Sequence, residues 1–325
     1  MKAIVYTEYG PPDVLQLKEV PKPVPTDNEV LIKVHAVSVN RSDWEGLIGK
    51  PLYARMGGLR KPRHHILGSD IAGRVEMAGK NIQHFQAGDE VFGETMRYSD
   101  GFAEYVCAPE AALTLKPASL TFEQAAAIPQ AGVIALQGIR EKGRVQAGQN
   151  VLINGAGGGA GTFAVQLAKL YGAEVTGVDN TGKLDFLRSL GADHIIDHTH
   201  EDFTKNGKQY DLILDLIAHR SAFAYARALR PNGTYFFVGG SVATLFQLLL
   251  LGPWIRRRTG KNVRLLAVQP NRKALMAITE LCEAGKVIPY IDRVYPLNEV
   301  PEALRYLGEG RARGKVVITL EHNNI

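Results

Sequence analysis

Between residues 151 and 169 the sequence reads VLINGAGGGAGTFAVQLAK: an apolar run, a burst of glycine, then an apolar stripe at helical spacing. Within it Ala156, Gly158 and Gly161 have the spacing of a dinucleotide-binding turn, with alanine in the first glycine position. Such a turn must be tight, must let backbone touch a pyrophosphate, and must hold the next helix close to its strand. A helix starting near Gly159 would aim the unpaired N–H groups of Gly159, Ala160 and Gly161 at phosphate. A second apolar run ends at Asp179, 18 residues past Gly161, near the spacing expected of a ribose-binding acid. The charge of Asp179 disfavours a ribose 2′-phosphate and points to NAD. Asn180, Thr181 and Lys183, in the same loop, could donate to such a phosphate or neutralise it. The residues alone leave both cofactors open.

The elements that must position this turn follow from the texture of the chain. The first third is strand-like, as in EVLIKVHAVSV (29–39), and is punctuated by glycine turns. From residue 122 onward, helical stretches alternate with short apolar runs at 150–154, 174–178, 194–197, 211–216, 234–240 and 263–268. That alternation predicts parallel strands joined by crossover helices, an α/β doubly wound sheet. Strands buried on both faces should be continuously apolar, as these are. An amphipathic helix (272–287) and two strand-like ends, IDRVYPL and KVVITL, close the chain. The expected divisions are 1–121, 122–269 and 270–325.

Composition limits the alternatives. With 325 residues, 45% hydrophobic and 22% charged, the chain reads as an ordinary globular protein of two domains. The longest apolar stretch, 242–255, is short for a membrane span and contains Gly252 and Pro253, which should break it. No secretory signal is visible at the start, and Cys107 and Cys282 are the only cysteines. A cytoplasmic setting without disulfides is the expectation. The net charge of +5 comes with mostly scattered lysines and arginines and no RNA-binding aromatic signature, so no nucleic-acid partner is expected.

Taken in order, MKAIVYTEYGPPDVLQLKEVPKPVP, GSDIAGRVEMAG, FQAGDEVFG, GFAEYVCAPEAALTLKP, AAAIPQAG, the glycine segment, LGADHIID, YDLILDLI and GKVVITL span nearly the whole chain. This series resembles the medium-chain dehydrogenase/reductase superfamily and, within it, the zinc-lacking, zeta-crystallin-like quinone oxidoreductases. The resemblance implies a GroES-like, mostly-β catalytic domain, a Rossmann domain for a nicotinamide dinucleotide, and a final segment that rejoins the first domain. It further implies that Gly239, Gly240 and Ser241 meet the nicotinamide side of the cofactor. Lys183 matches a lysine used for the 2′-phosphate, Lys315 matches one near the cofactor phosphates, and His198 stands where a tyrosine often lies beside adenine. NADPH is the favoured cofactor, with NADH possible.

The zinc-dependent members of that superfamily place ligand residues where this chain has Asn40, Ser69 and Ala131. All three ligand types are missing, and His64, His65 and Cys107 suggest no replacement, so no metal is expected. Without a Lewis acid, alkoxide chemistry loses its usual support, while quinones and α,β-unsaturated carbonyls remain reducible. Asn40, at a former ligand position, is the leading candidate to face the acceptor; Gln130 and Tyr53 are weaker ones. The expected function is a zinc-independent, NADPH-dependent quinone or enone reductase. A zinc-free alcohol dehydrogenase and a non-catalytic dinucleotide sensor are the alternatives. Residues 242–258, apolar and then basic, read as a substrate lid, a subunit contact in a homodimer, or a membrane-surface contact.

Overall fold

The structure, a computed structural model, describes residues 1–55, 58–95, 99–269 and 271–321. Pro270, the expected first residue of the last segment, lies outside them. The chain forms two compact units: Met1–Gln130 with Pro270–Ala284 and Pro289–Ile325, and Ala131–Gln269 with Gly285–Ile288.

In the first unit β1 (Lys2–Val5) and β2 (Gln16–Glu19) form an antiparallel ribbon. The spine is β3 (Glu29–Val39), whose β-branched run is buried along nearly its whole length. Its last residues lead into α1 (Arg41–Ile48), and the Asp43 carboxylate accepts from the Asn40 N–H at 2.7 Å to close the first turn. Against β3 lie β4 (Asp70–Ala78) and β6 (Tyr105–Pro109); β5 (Glu90–Glu94) pairs with β4, and β7 (Leu113–Leu115) with β5. The helix α2 (Phe122–Ala126), capped by Thr121, packs on β3 and β4 and so belongs to this unit.

The second unit begins within α3 (Pro129–Leu136). It contains β8 (Asn150–Asn154), α4 (Gly159–Leu170), β9 (Glu174–Asp179), α5 (Leu184–Ser189), β10 (His194–Asp197), β11 (Tyr210–Asp215), α6 (Ala222–Arg227), β12 (Leu229–Phe237), α7 (Val242–Thr259) and β13 (Asn262–Leu265). All six strands are parallel in the order β10-β9-β8-β11-β12-β13. The order reverses between β8 and β11, the position at which open α/β sheets bind ligands.

One expectation is corrected here. Gly252 and Pro253 do not break the 242–258 segment, because α7 runs through both. Pro253 is on the exposed side, where water can satisfy the carbonyl its missing N–H would have met. Gly252 faces inward, where a Cβ would lie 2.5 Å from the Val263 carbonyl oxygen; glycine lets the helix lie on β13.

The chain then returns to the first unit through α8 (Arg272–Glu283), β14 (Ile291–Pro296), α9 (Val300–Gly308) and β15 (Lys315–Thr319). β15 pairs antiparallel with β3 and parallel with β14, completing a seven-stranded sheet. This registers the far end of the sequence against the start: Val316 lies opposite Val39.

Candidate functional site

The glycine turn sits at the carboxyl end of β8. Gly155 has φ +83°, a conformation that favours glycine, and its N–H and that of Ala156 both donate to the Val178 carbonyl. Helix α4 starts after Gly158, and the first N–H with an acceptor four residues back is that of Thr162. The N–H groups of Gly159, Ala160 and Gly161 therefore have no acceptor inside the helix. The glycines do different work. A Cβ on Gly161 would lie 2.2 Å from the Gly155 carbonyl oxygen, so this residue fits helix to turn. A Cβ on Gly158 would meet only that same oxygen, at 3.4 Å, and otherwise open space. The turn is thus tight underneath and open above, as a phosphate cradle must be.

Asp179 does not extend a free carboxylate from the end of β9. Its Oδ2 accepts from the Gly157 N–H at 2.9 Å, its Oδ1 accepts from the Asn180 N–H at 2.9 Å, and Lys183 Nζ lies 3.5 Å from Oδ1. Both side chains are buried. The opposing expectations for Asp179 and Lys183 meet in one ion pair that braces the glycine loop. Asn180 caps the following turn through its Oδ1, and His198 is exposed next door, its N–H on the Asp179 carbonyl.

Gly239, Gly240 and Ser241 follow β12 along the same sheet edge. Gly240 has φ +138°, and a Cβ there would lie 2.2 Å from the Ala218 carbonyl oxygen, which also accepts from the Ser241 N–H. Sequence reasoning missed the support beneath this edge. Buried Asp215, at the end of β11, accepts from Asn154 Nδ2 at 2.7 Å, from Tyr235 OH at 3.0 Å and from the Ile217 N–H at 3.1 Å. Asn154 immediately precedes the glycine turn, so this network locks its approach. An Asn and an Asp at the ends of two apolar runs were the only available signal.

A second polar site lies in the first unit. Register places Ser38, Asp70 and Glu94 in one row across β3, β4 and β5. Lys315, buried at the start of β15, donates to Asn40 Oδ1 at 2.5 Å and lies 3.6 Å from Asp70 Oδ2. That Asp70 oxygen also accepts from Ser38 Oγ and from the Gln130 N–H. Asn40 Nδ2 points to Ser69 Oγ at 3.4 Å. Asp43 accepts from the N–H groups of Asn40 and Gly68. Among the described residues, Asp70 Oδ1 and Glu94 Oε1 are buried without a hydrogen-bond partner.

One ammonium thus shares its surroundings with three buried carboxyl groups. Burial pushes Asp43 up to about 7, against its two backbone donors. Burial and then the charge of Asp70 push Glu94 up to about 8, against the Gln130 side chain. Burial raises Asp70, with Lys315 opposing, and burial lowers Lys315, with Asp70 opposing.

Of the candidates for contacting an acceptor, Asn40 and Gln130 are drawn together through Asp70, and Gln130 Oε1 also accepts from Ser42 Oγ at 3.3 Å. Tyr53 stands apart, with its hydroxyl 3.5 Å from Glu45 Oε2. Lys315, expected near the cofactor phosphates, lies inside this cluster, its Nζ taken by Asn40 and Asp70. The strand ladder explains this: with Val316 opposite Val39, Lys315 falls beside Asn40.

Comparison with known proteins gives two family matches: the alcohol dehydrogenase GroES-like domain over residues 26–118, and zinc-binding dehydrogenase over residues 190–318. A 2-methylene-furan-3-one reductase from Solanum lycopersicum is 34% identical, over 98% of this chain and 79% of its own length. An NADPH-dependent alkenal/one oxidoreductase of chloroplasts from Arabidopsis thaliana is 32% identical over the same shares. The solved quinone oxidoreductase from Coxiella burnetii is 31% identical, covers 99% of each chain, and superposes with a TM-score of 0.89.

The zinc in the second family's description does not fit the residues here. Asn40, Ser69 and Ala131 offer an amide, a hydroxyl and a methyl group, and the first two are bonded to each other. Among the described residues no group of three or more His, Cys, Asp or Glu could hold a metal ion.

Proposed function

The chain belongs to the medium-chain dehydrogenase/reductase superfamily, in its quinone oxidoreductase-like group, and from that premise we propose that it is a zinc-independent reductase of quinones and α,β-unsaturated carbonyls that uses NADPH. The glycine turn fits a dinucleotide: Gly158 leaves room for the pyrophosphate, and the first N–H groups of α4 supply donors to it. Gly239, Gly240 and Ser241 would hold the nicotinamide end. NADPH rather than NADH is supported by the named cofactor of the alkenal reductase relative, and by Lys183, which cancels the Asp179 charge that would repel a 2′-phosphate. When bound, the dihydronicotinamide supplies a hydride.

The observation that carries the reaction type is the hydrogen bond from Lys315 to Asn40 Oδ1. Lys315 holds the amide by its oxygen and fixes which way the group faces, and the nitrogen keeps one N–H beyond the one directed at Ser69 for a ligand. A positioned amide donor suits an acceptor oxygen that gains negative charge as hydride reaches a conjugated carbon. Lys315 is then a positioning residue, and Gln130, anchored by its own N–H to Asp70, completes the polar wall. For an enone the product enolate takes a proton at its α-carbon.

The test is oxidation of NADPH and of NADH, followed by absorbance against a panel of quinones and enones. Carbonyl-conjugated acceptors should turn over with NADPH, and cofactor deuterated at the transferred position should label the enone β-carbon. Tight NADPH binding without turnover of any acceptor overturns the reading in favour of a nucleotide sensor. Simple alcohols turning over faster than enones would favour an alcohol dehydrogenase.

A further inference from the structure

The segment that catalysis leaves unused is α7, in the second unit. Its inward positions, Thr244, Leu248, Gly252 and Ile255, are buried. Its outward side carries Phe246, Leu249, Leu250, Pro253 and Trp254, a continuous apolar stripe at helical spacing, with Leu250 76% exposed. Phe223 of α6, itself 46% exposed, widens the stripe by stacking edge-on against Trp254 at 6.0 Å. The last turn adds Arg256, Arg257 and Arg258; the first and third flank the stripe and Arg257 continues it. These three and Arg227, at the end of α6, are exposed and have no carboxylate partner among the described residues.

The surrounding sequence has a sharp charge asymmetry. Residues 216–279 hold ten of the chain's 38 Lys and Arg and none of its 33 Asp and Glu. The net positive charge of the chain therefore comes from this stretch, and the remainder is net negative. A second copy of the same face would bring the arginines no counter-charge, and a nucleic acid would leave the leucines and aromatics without a partner. An anionic lipid surface satisfies both: phosphate headgroups for the arginines and the acyl boundary for the stripe.

We propose that α7 docks the protein on anionic bilayers as a peripheral, in-plane helix. No helix of the described chain is long and apolar enough to cross a membrane, so the contact is with the surface. The Arg-bearing end meets headgroups while Phe246, Leu249, Leu250 and Trp254 enter shallowly. Such a contact strengthens with anionic lipid and weakens with salt.

The experiment is co-sedimentation of the full chain with vesicles of phosphatidylcholine alone or with about 30% phosphatidylglycerol, which gives the surface a negative potential. In parallel, Trp254 emission is read in a Trp44→Phe background, since the chain has only two tryptophans. Binding is expected only with phosphatidylglycerol, with a blue shift of Trp254. Arg256→Gln/Arg257→Gln/Arg258→Gln should weaken it roughly 100-fold, at about one lipid-facing charge per residue lost. Leu249→Ser/Leu250→Ser, at exposed positions, should abolish the blue shift while circular dichroism stays unchanged. Wild-type protein that stays in solution with anionic vesicles overturns the proposal, as does binding that neither variant alters. So does a leucine variant that turns a dimer into a monomer in sedimentation velocity without any lipid binding, since the stripe would then cover a second copy.

Discussion

The glycine turn of the second unit and the carboxylate–lysine cluster of the first are built in opposite ways. The turn works through backbone: its N–H groups are the chemistry, and its side chains are absent so that backbone can be reached. The cluster works through side chains: Asn40, Asp43, Ser69, Asp70, Glu94, Gln130 and Lys315 arrive from five separated places in the chain and are buried or half-buried together. A backbone site tolerates no added atoms, whereas a buried charge cluster tolerates no missing ones. The two should therefore fail differently when mutated.

The largest effect is expected from Lys315→Met. It leaves Asp70 and Asn40 buried without their cation, and removing one partner of a buried pair costs about 3–5 kcal/mol. Denaturant unfolding measures this, and adding Asp70→Asn should return a good part of it. If Lys315→Met unfolds at the wild-type midpoint, the cluster is not an energetic unit and the contrast with the turn collapses.

Next comes Asn40→Ala, which separates structure from chemistry inside the cluster. As the donor to a developing oxyanion, Asn40 should contribute about 2.7 kcal/mol, so kcat with an enone should fall by roughly 100-fold. NADPH affinity should hold, since the cradle is built from other residues. A variant with lowered stability and unchanged kcat would make Asn40 a brace only.

How much of this was legible in the sequence follows from the same contrast. Spacing along one strand–turn–helix fixes a backbone site, so Ala156, Gly158 and Gly161 could be read directly, and six parallel strands followed from the alternation of apolar runs. Asp179 and Lys183 could be named but not resolved, because no pattern says that two opposite charges four residues apart will pair with each other. The seven-residue cluster was invisible as a whole. Asn40 and Ser69 were noticed as losses from a metal site, but Glu94 and the role of Lys315 depend on which strands pair. That register joins residues 275 positions apart, as in Lys315 and Asn40. Likewise Pro253 reads as a helix breaker unless the helix is known to expose that side to water.

The turn is tested by comparing two glycines within it. Gly158→Ala should fold as the wild type, with Tm within about 2 °C, since its Cβ would touch only one atom, at 3.4 Å. NADPH should nevertheless bind about 30-fold more weakly, roughly 2 kcal/mol by calorimetric titration. In Gly161→Ala the added Cβ would sit 2.2 Å from the Gly155 carbonyl oxygen, so affinity and Tm should fall together. Equal loss of Tm in both variants would mean that the opening above Gly158 is structural rather than a seat for phosphate.

The smallest effect tests the cluster's charge. Glu94 and Asp43 are pushed up to about 8 and about 7 by burial, so the folded protein holds protons there that the unfolded chain has released. Folding then binds protons, and stability falls as pH rises from the ordinary carboxylate range to about 8, levelling off beyond it. Glu94→Gln keeps the shape of the side chain and removes one of these protons from the balance. Its stability should fall less steeply between about pH 5 and 8, by at most about 1.4 kcal/mol per pH unit. Denaturation midpoints across that range decide the matter. A slope equal to that of the wild type would mean that Glu94 is ionised in the fold and that Lys315, shared with Asp70, serves it as well. Gly158→Ala adds a methyl group to the turn and removes no titratable side chain, so its stability should follow the wild-type slope throughout.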